Sequence, residues 1–429
     1  MKRALTLDKY VYRQVRIDNL MFGFKKFIIE EKNTHMEHLE DLMFNDGVEG
    51  TRQAINFLRD LRDMLAGHKS TAVDTTVKWD GAPAIFIGID PEDNKFFVAK
   101  KGLFNKTKPD MYKTRRDLLR LQGDLRSKFA VALQQFSKMG IKKGVVYQGD
   151  LMFTGNDIKK QTIDGQAYYT FHPNTIVYAV PVDSPIGRQI KAAKIGVVWH
   201  TTYTGRTIQG MTASFGKDIT KNLRSNRSIW MTDATYHDVS GKATLTADET
   251  RTLTSHLSTA GTLFKQIPAT ALNAIRDNEE LKQKIKTYNN THVRAGEPFP
   301  QPKEHAKGLY NYINDWYQGE IDKKKTQKGK DTWSAKRDAV LRDVFAHAIE
   351  LVKMFELMNE LIQAKQIVVE KMQQASKMAT FIKTSRGFKV TGEEGYVAID
   401  KIGNAVKIVD RLEFSRANFS ADVIKGWDK

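Results

Sequence analysis

The sequence contains no cysteine among its 429 residues. Disulfide bonds, thiolate zinc sites and cysteine nucleophiles are therefore excluded. Long apolar runs are also missing, since none approaches the roughly 20 residues that a transmembrane helix needs. The N-terminus lacks the layout of a signal peptide. We therefore expect a soluble protein without a membrane partner.

Acidic residues are scarce relative to basic ones, with 50 against 68 and a formal net charge of +18. Such an excess attracts polyanions through counterion release, which favours nucleic acid as a partner. The sequence has no internal repeat and no sustained heptad pattern, so repeat and coiled-coil architectures are not expected. The apolar fraction of 41% is enough for a sizeable core, and the length predicts two or three domains.

The distribution of patterns along the chain predicts four parts. Residues 1–70 carry amphipathic helical patterns and form a helical lead-in, and residues 71–205 alternate strands and turns. Residues 206–384 become mostly helical and basic, and residues 385–429 return to strands. A return to strands after a long helical stretch indicates one α+β domain that is interrupted by a large helical insertion.

Two basic stretches stand out from this pattern. The helical stretch from residue 110 to residue 139 carries five basic side chains on its outer face: Lys113, Arg115, Arg116, Arg120 and Arg126. Residues 322–330 form a basic, poorly structured loop by their composition. Each stretch is either a solvated surface or a contact for phosphate groups, and the sequence leaves both interpretations open.

The most informative stretch is Lys78-Trp79-Asp80-Gly81, which a β-branched run enters and an apolar run leaves. Asp-Gly between two strands is a common hairpin signal that carries no chemistry. A lysine at the end of a strand can instead act as a nucleophile when its amine is neutral. We interpret Lys78 as a nucleophile, with the exposed hairpin as the alternative.

Four further short motifs occur in the strand-rich parts of the sequence, and they extend the first one. They are Lys100-Lys101-Gly102, Gln148-Gly149-Asp150-Leu151, Glu394-Gly395-Tyr396-Val397 and Lys407-Ile408-Val409. Asp150 lies between apolar residues of a predicted strand, and a buried carboxylate is costly without a partner or ligand. This position makes Asp150 a better candidate for a site residue than most acidic residues of the chain.

In this order, the five motifs resemble those of the covalent nucleotidyltransferase superfamily, which includes ATP-dependent DNA and RNA ligases and mRNA capping enzymes. The resemblance covers about residues 71–205 and 385–415. It implies a nucleotidyltransferase core with antiparallel, ATP-grasp-like sheets, built from residues 71–205 and 385–429. It also implies that Lys78 attacks the α-phosphate of ATP, expels pyrophosphate and forms a lysyl-AMP intermediate.

The resemblance further implies the roles of the other motif residues. Catalytic roles fall to Lys78, Asp80 and Lys407, and nucleotide contacts to Val77, Gly81, Lys100, Lys101, Asp150 and Glu394. Lys407 would hold the α-phosphate, and Asp150 would contact the nucleotide sugar. Glu394 and Asp150 would hold Mg²⁺. Bound Mg²⁺ neutralises the triphosphate and its leaving group.

Two residues differ from the ligase pattern. Pro83 stands where DNA ligases usually have arginine, whereas RNA ligases vary there, so an RNA substrate is favoured over DNA. Val409 stands where the last motif normally has a second lysine. We expect an ATP-dependent polynucleotide ligase of the RNA-ligase type. The alternative is a noncatalytic nucleic-acid-binding or virion-associated protein that retains a ligase-like fold.

A second resemblance covers more of the chain. Together with Lys78–Ala84 and Gln148–Met152, the segment His35–Asp41 resembles an uncharacterised family of tailed-phage proteins. This resemblance implies a bacteriophage origin. It also implies a location in the cytoplasm of an infected host cell, or in the virion.

Overall fold

The computed structural model describes most of the chain after residue 36. The described ranges are 37–67, 73–105, 109–215, 217–236, 243–374, 378–400, 404–413, 415 and 422–426. The first half of the predicted helical lead-in, residues 1–36, lies outside them.

Fifteen strands are formed by the described residues. In chain order they are β1 Val73–Lys78, β2 Ala84–Ile89, β3 Phe96–Ala99, β4 Met111–Tyr112, β5 Val145–Thr154, β6 Lys159–Ile163, β7 Gln166–Phe171, β8 Ile176–Pro181, β9 Ile195–Thr204, β10 Thr212–Ser214, β11 Ile229–Asp233, β12 Ala379–Thr384, β13 Gly387–Val390, β14 Gly395–Asp400 and β15 Ala405–Ile408. Many are rich in β-branched and aromatic residues, which favour the pleated surface of a sheet.

These strands form three sheets. The first has the order β1-β14-β15, and the second has the order β10-β9-β5-β2-β3-β4 with β11 added beside β9. The third has the order β13-β12-β8-β7-β6. Within the described residues, the strand pairs are antiparallel except for β11 with β9. The predicted α+β class with antiparallel sheets is therefore confirmed.

Nine α-helices are formed by the described residues. They are α1 Leu42–Leu65, α2 Gly123–Phe136, α3 Pro185–Ala192, α4 Ala247–Gln266, α5 Ala269–Asp277, α6 Glu279–Ala295, α7 Pro302–Asp322, α8 Gln327–Ala346 and α9 Ala348–Gln373. Local signals set several of the boundaries. Thr246 and Glu249 form a capping box at the start of α4, and Gly296 ends α6 in a left-handed conformation.

Within the predicted insertion of residues 206–384, helices α4 to α9 occupy residues 247–373, so the helical part ends before the predicted boundary. Strands β10 and β11, which fall inside the predicted insertion, pair with β9, and β12 pairs with β8. The predicted basic loop at 322–330 was also too long. Helix α8 begins at Gln327, where the Thr326 hydroxyl caps it by accepting a hydrogen bond from the Gly329 amide at 3.1 Å.

The largest hydrophobic core joins parts of the chain that are far apart in sequence. Helix α1 and helices α4 to α9 share it with the first sheet, which contributes Tyr396, Ala398, Val406 and Ile408. The helical stretch is thus packed directly against the sheet that carries Lys78. A second core lies between α2 and the second sheet, where Phe129, Phe136 and Trp199 are fully buried.

None of the helices described here combines the length and the apolar character that are needed to cross a membrane.

Candidate functional site

The motif around Lys78 lies where the first sheet meets the second. Strand β1 ends at Lys78 and pairs with β14, whereas β2 begins at Ala84 and pairs with β3 and β5. Strands β1 and β2 therefore belong to different sheets, and the hairpin interpretation of this motif is wrong. Lys78 therefore lies where the chain leaves the first sheet for the second.

Strand register brings the last two motifs to Lys78. Lys78 is opposite Gly395, and Val397 is opposite Lys407 in the next strand of the same sheet. The Lys78 ammonium forms an ion pair with the Glu394 carboxylate. The Lys78 side chain is 26% exposed and that of Glu394 only 7%. A lysine that solvent can reach is thus held by a carboxylate that solvent hardly reaches.

Burial and neighbouring charges shift the pKa values of this group. Burial raises the pKa of Glu394 to about 7, the Asp80 and Asp150 carboxylates add to the rise, and Lys78 opposes it. Burial lowers the pKa of Lys407, and the positive charge of Lys78 lowers it further. Two lysines and three carboxylates are therefore close enough to influence one another, as is common at functional sites.

Asp150 reaches this group from β5 of the second sheet. Ala84, the first residue of β2, is opposite Asp150, and the Ala82 amide donates to the Leu151 carbonyl at 3.0 Å. A side chain at Gly81 would place its Cβ only 2.6 Å from the Asp150 Cβ. Only glycine allows this close approach, so Gly81 contributes by its lack of a side chain.

The Asp80 carboxylate is held by residues at the start of β8 in the third sheet. Its carboxylate accepts hydrogen bonds from the backbone amides of Thr175 and Ile176, both at 2.7 Å, and from the Asn174 side chain. Its own amide donates to the Tyr178 hydroxyl at 2.8 Å. Asp80 is 3% exposed. These bonds favour a positioning role for Asp80 over the catalytic role that the sequence suggested.

The remaining predicted residues lie at different places. Val77 is opposite Tyr396, packs against the largest core, and donates its amide to the Ala234 carbonyl at 2.6 Å. Lys100 follows the end of β3 and forms an ion pair with Asp110 at 3.2 Å. Lys101 is exposed at the start of a 3₁₀ turn, Lys101–Phe104. The contacts that the structure shows for Lys100 thus involve Asp110 and not Lys78.

A family model matches residues 33–423 of the chain, a range that includes every residue of the candidate site. The chain belongs to the family of unknown function DUF6267. No curated protein and no solved structure matches it significantly. The chemistry of this DUF6267 chain is therefore inferred from the residues of the site.

Several side chains at the DUF6267 site were not predicted from the sequence. His200 of β9 lies 3.6 Å from the Asp150 carboxylate, and Asn174 and Tyr178 hold the turn at Asp80. These contacts join residues 50 to 98 positions apart, with the largest separation between Asp80 and Tyr178. No local motif marks such residues, because only the pairing of distant strands brings them together.

The carboxylates at the site are candidate ligands for a divalent cation. Within the described ranges, no cluster of three or more His, Asp or Glu side chains has the arrangement of a metal site. Glu394 and Asp150 nevertheless lie close enough to interact electrostatically. Two carboxylates fit Mg²⁺ when phosphate oxygens and waters complete its octahedral shell. Asp150 and Glu394 are the residues that would hold it.

A small cavity of about 20 Å³ adjoins the site on the side of Glu394. Its lining is strongly acidic and includes Asp80, Glu393, Glu394, Asp410 and Glu413. Carboxylates repel phosphate groups at short range. This cavity is therefore unsuited to the phosphates of a nucleotide, and the exposed part of Lys78 is the better place for them.

Proposed function

We propose that the chain is an ATP-dependent polynucleotide ligase with a nucleotidyltransferase fold, in which Lys78 carries the nucleotide. RNA is the favoured substrate, with DNA as the other candidate. The proposal includes a bacteriophage origin and action in the cytoplasm of an infected host cell or in the virion. The observation that carries it is the meeting of Lys78, Asp150, Glu394 and Lys407, which come from four separate segments.

The chemistry at Lys78 requires a neutral amine. The Nζ atom would form a bond to the α-phosphorus of ATP while the bond from that phosphorus to the bridging oxygen breaks. Pyrophosphate then leaves, and the proton lost from Nζ passes to water on the exposed side of the lysine. The product is a lysyl-AMP, whose AMP group is next transferred to a 5′-phosphate end of the polynucleotide.

The neighbours of Lys78 support this reaction by position and charge. Lys407 adds a positive charge beside Lys78 that attracts the α-phosphate, and burial together with the charge of Lys78 lowers the pKa of Lys407 itself. Asp80 anchors the turn that follows Lys78 and so fixes the direction of the strand end. Mg²⁺ held by Asp150 and Glu394 would neutralise the charge of the triphosphate. Phosphoryl transfer depends mainly on such positioning and charge stabilisation.

A labelling experiment tests the proposal. The wild-type protein is incubated with Mg²⁺ and ATP labelled at the α-phosphate, and in parallel with ATP labelled at the γ-phosphate. We expect protein-bound label from the α-phosphate alone, stable to denaturation and alkali and released by mild acid, as for a phosphoramidate. GTP labelled at the α-phosphate reports the base preference.

Lys78→Arg is the decisive variant, because arginine keeps the positive charge beside Glu394 but stays protonated and is not nucleophilic. We expect it to lose the label by at least about 100-fold, consistent with the loss of covalent catalysis. Lys95→Arg is the matched control, since Lys95 is 66% exposed on the turn between β2 and β3. Equal labelling of Lys78→Arg and wild type, or no label on wild type, would contradict the proposal.

A second candidate is a noncatalytic nucleic-acid-binding protein with the same fold. The net charge of +18 favours it, and so does the ion pair with Glu394, which engages the Lys78 ammonium. The same experiment separates the two candidates. Absence of label on wild type, together with binding of oligonucleotides without ATP, would support the noncatalytic candidate.

A further inference from the structure

The connection between α7 and α8 carries a dense group of positive charges. Residues 323–337 include six lysines, one arginine and one aspartate, a net charge of +6 and one third of the total of +18. Together with Trp316 of α7, these residues are called the basic hairpin tip below. The tip belongs to the helical stretch and includes none of the residues of the candidate site.

Most of the charge at the tip is not neutralised by the protein. Lys323 and Lys324 both contact Glu320, at 2.6 and 3.6 Å. The other four lysines are exposed and form no ion pair within the part of the chain that the structure describes: Lys325, Lys328, Lys330 and Lys336. Four positive charges that lie close together in sequence attract a polyanion.

Aromatic rings are interleaved with these lysines. Trp316 of α7 is 37% exposed, and its ring lies 6.2 Å from that of Trp333 on α8. The ammonium groups of Lys324 and Lys336 lie over the Trp333 ring, at 4.2 and 5.0 Å from its centroid. Cation–π contacts of this kind hold the lysines and the indole rings in one surface.

This combination fits single-stranded nucleic acid better than other polyanions. Lysines follow the phosphate backbone, while exposed indole rings stack with unpaired bases whatever their sequence. A duplex or an acidic protein would use the lysines but make no stacking contact with the exposed part of Trp316. We propose that the basic hairpin tip binds single-stranded nucleic acid.

The proposal gives a binding surface to the polynucleotide that the proposed function requires, but it needs no reaction at Lys78. Binding of an oligonucleotide in the absence of ATP therefore measures the tip without any reaction at Lys78. Absence of label in the labelling experiment would not contradict binding at the tip. Unchanged binding by the tip variant would likewise not contradict the reaction at Lys78.

The test measures binding of the full chain to fluorescein-labelled oligouridylate by anisotropy, over a range of NaCl concentrations. In the tip variant, Lys325, Lys328, Lys330 and Lys336 are all replaced by Gln. We expect binding to weaken by at least about 10-fold, because contacts to phosphate are lost. Each lost contact should also make the slope of log K against log[NaCl] shallower by about 0.7. A tip variant that binds like wild type would overturn the proposal.

A matched control separates local contact from total charge. Replacing Lys138, Lys142, Lys143 and Lys159 by Gln removes the same number of charges from exposed positions elsewhere. We expect this control variant to keep the salt dependence of wild type. Equal weakening in both variants would show that only the net charge matters, which contradicts a specific surface. Circular dichroism melts verify that both variants are folded.

A separate variant tests the stacking of bases on Trp316. Trp316→Leu removes the indole ring but keeps an apolar side chain on α7. We expect several-fold weaker binding of the single strand and unchanged binding of an RNA duplex of the same length. Equal loss for both probes, or no loss for the single strand, would contradict the preference for unpaired bases.

Discussion

At the scale of single residues, burial sets the behaviour of Glu394. Burial raises the pKa of this carboxyl from 4.5 to about 7 in the folded protein. A carboxyl with a higher pKa in the folded state contributes stability that is fully present below about pH 4.5 and lost as pH rises through about 7. Glu394 therefore makes the folded protein less stable at neutral pH than at mildly acidic pH.

Glu394→Gln should remove this contribution. The quantity to compare is the difference in free energy of unfolding, wild type minus variant. This difference is expected to fall by up to about 3 kcal/mol between about pH 4.5 and pH 7. Urea unfolding across this pH range, with EDTA present to exclude divalent cations, measures the difference. Parallel pH profiles for the two proteins would show that Glu394 does not titrate in this way.

At the scale of elements, the hairpin of β14 and β15 depends on Gly395. Its φ of +142° is one that other residues rarely adopt, and a Cβ there would lie 2.7 Å from Val409 Cγ2 and 2.8 Å from the Ile408 carbonyl oxygen. Gly395 is also opposite Lys78. The pairing of the two motifs thus requires a glycine at this position.

Gly395→Ala is expected to lower the free energy of unfolding by about 3 kcal/mol or more, since backbone strain of about 1–3 kcal/mol adds to the steric clash. Gly387→Ala is the matched control: Gly387 has a φ of +121°, but a Cβ there would meet nothing within 4 Å. Denaturant unfolding compares the two. A loss no larger at Gly395 than at Gly387 would refute the close-approach argument.

At the scale of the whole molecule, a buried ion network ties together distant parts of the chain. Glu40, fully buried, accepts hydrogen bonds from Lys365 of α9 at 2.7 and 2.9 Å, and Arg411 lies 3.4 Å away. Burial would raise the pKa of Glu40, but Lys365 and Arg411 lower it to about 2. Arg411 also contacts Asp41 at 3.1 Å.

Breaking this network should be costly. Lys365→Met is expected to lower the free energy of unfolding by about 3–5 kcal/mol, because Glu40 keeps its charge with one partner fewer. Adding Glu40→Gln should cost less than the two single changes combined, as in a double-mutant cycle. The exposed pair Arg251–Asp248, at 3.1 Å, serves as control, and Arg251→Met should cost under about 1 kcal/mol. A similar loss of unfolding free energy for Lys365→Met and Arg251→Met would contradict a structural role for the network.

The same network and the shared core explain why the helical stretch is not a separate appendage. Sequence patterns indicated the mostly helical stretch that contains α4 to α9, because amphipathic periodicity is a local property. They did not locate β10, β11 and β12, since these are short strands whose partners lie elsewhere in the chain. Pairing with β9 and β8 decides those segments, and such long-range pairing leaves little local signal.

The sequence by itself determined the α+β class, the strand that ends at Lys78, the strand that contains Asp150, and the order of the five motifs, because residue type and periodicity act over a few neighbours. The tertiary structure alone decided which of these residues meet. It brought Lys78 to Glu394 and Lys407 and excluded the hairpin, while it directed Asp80 into the third sheet and Lys100 to Asp110. Strand register fixes these neighbours, and register is set only when distant strands pair and bury a common face.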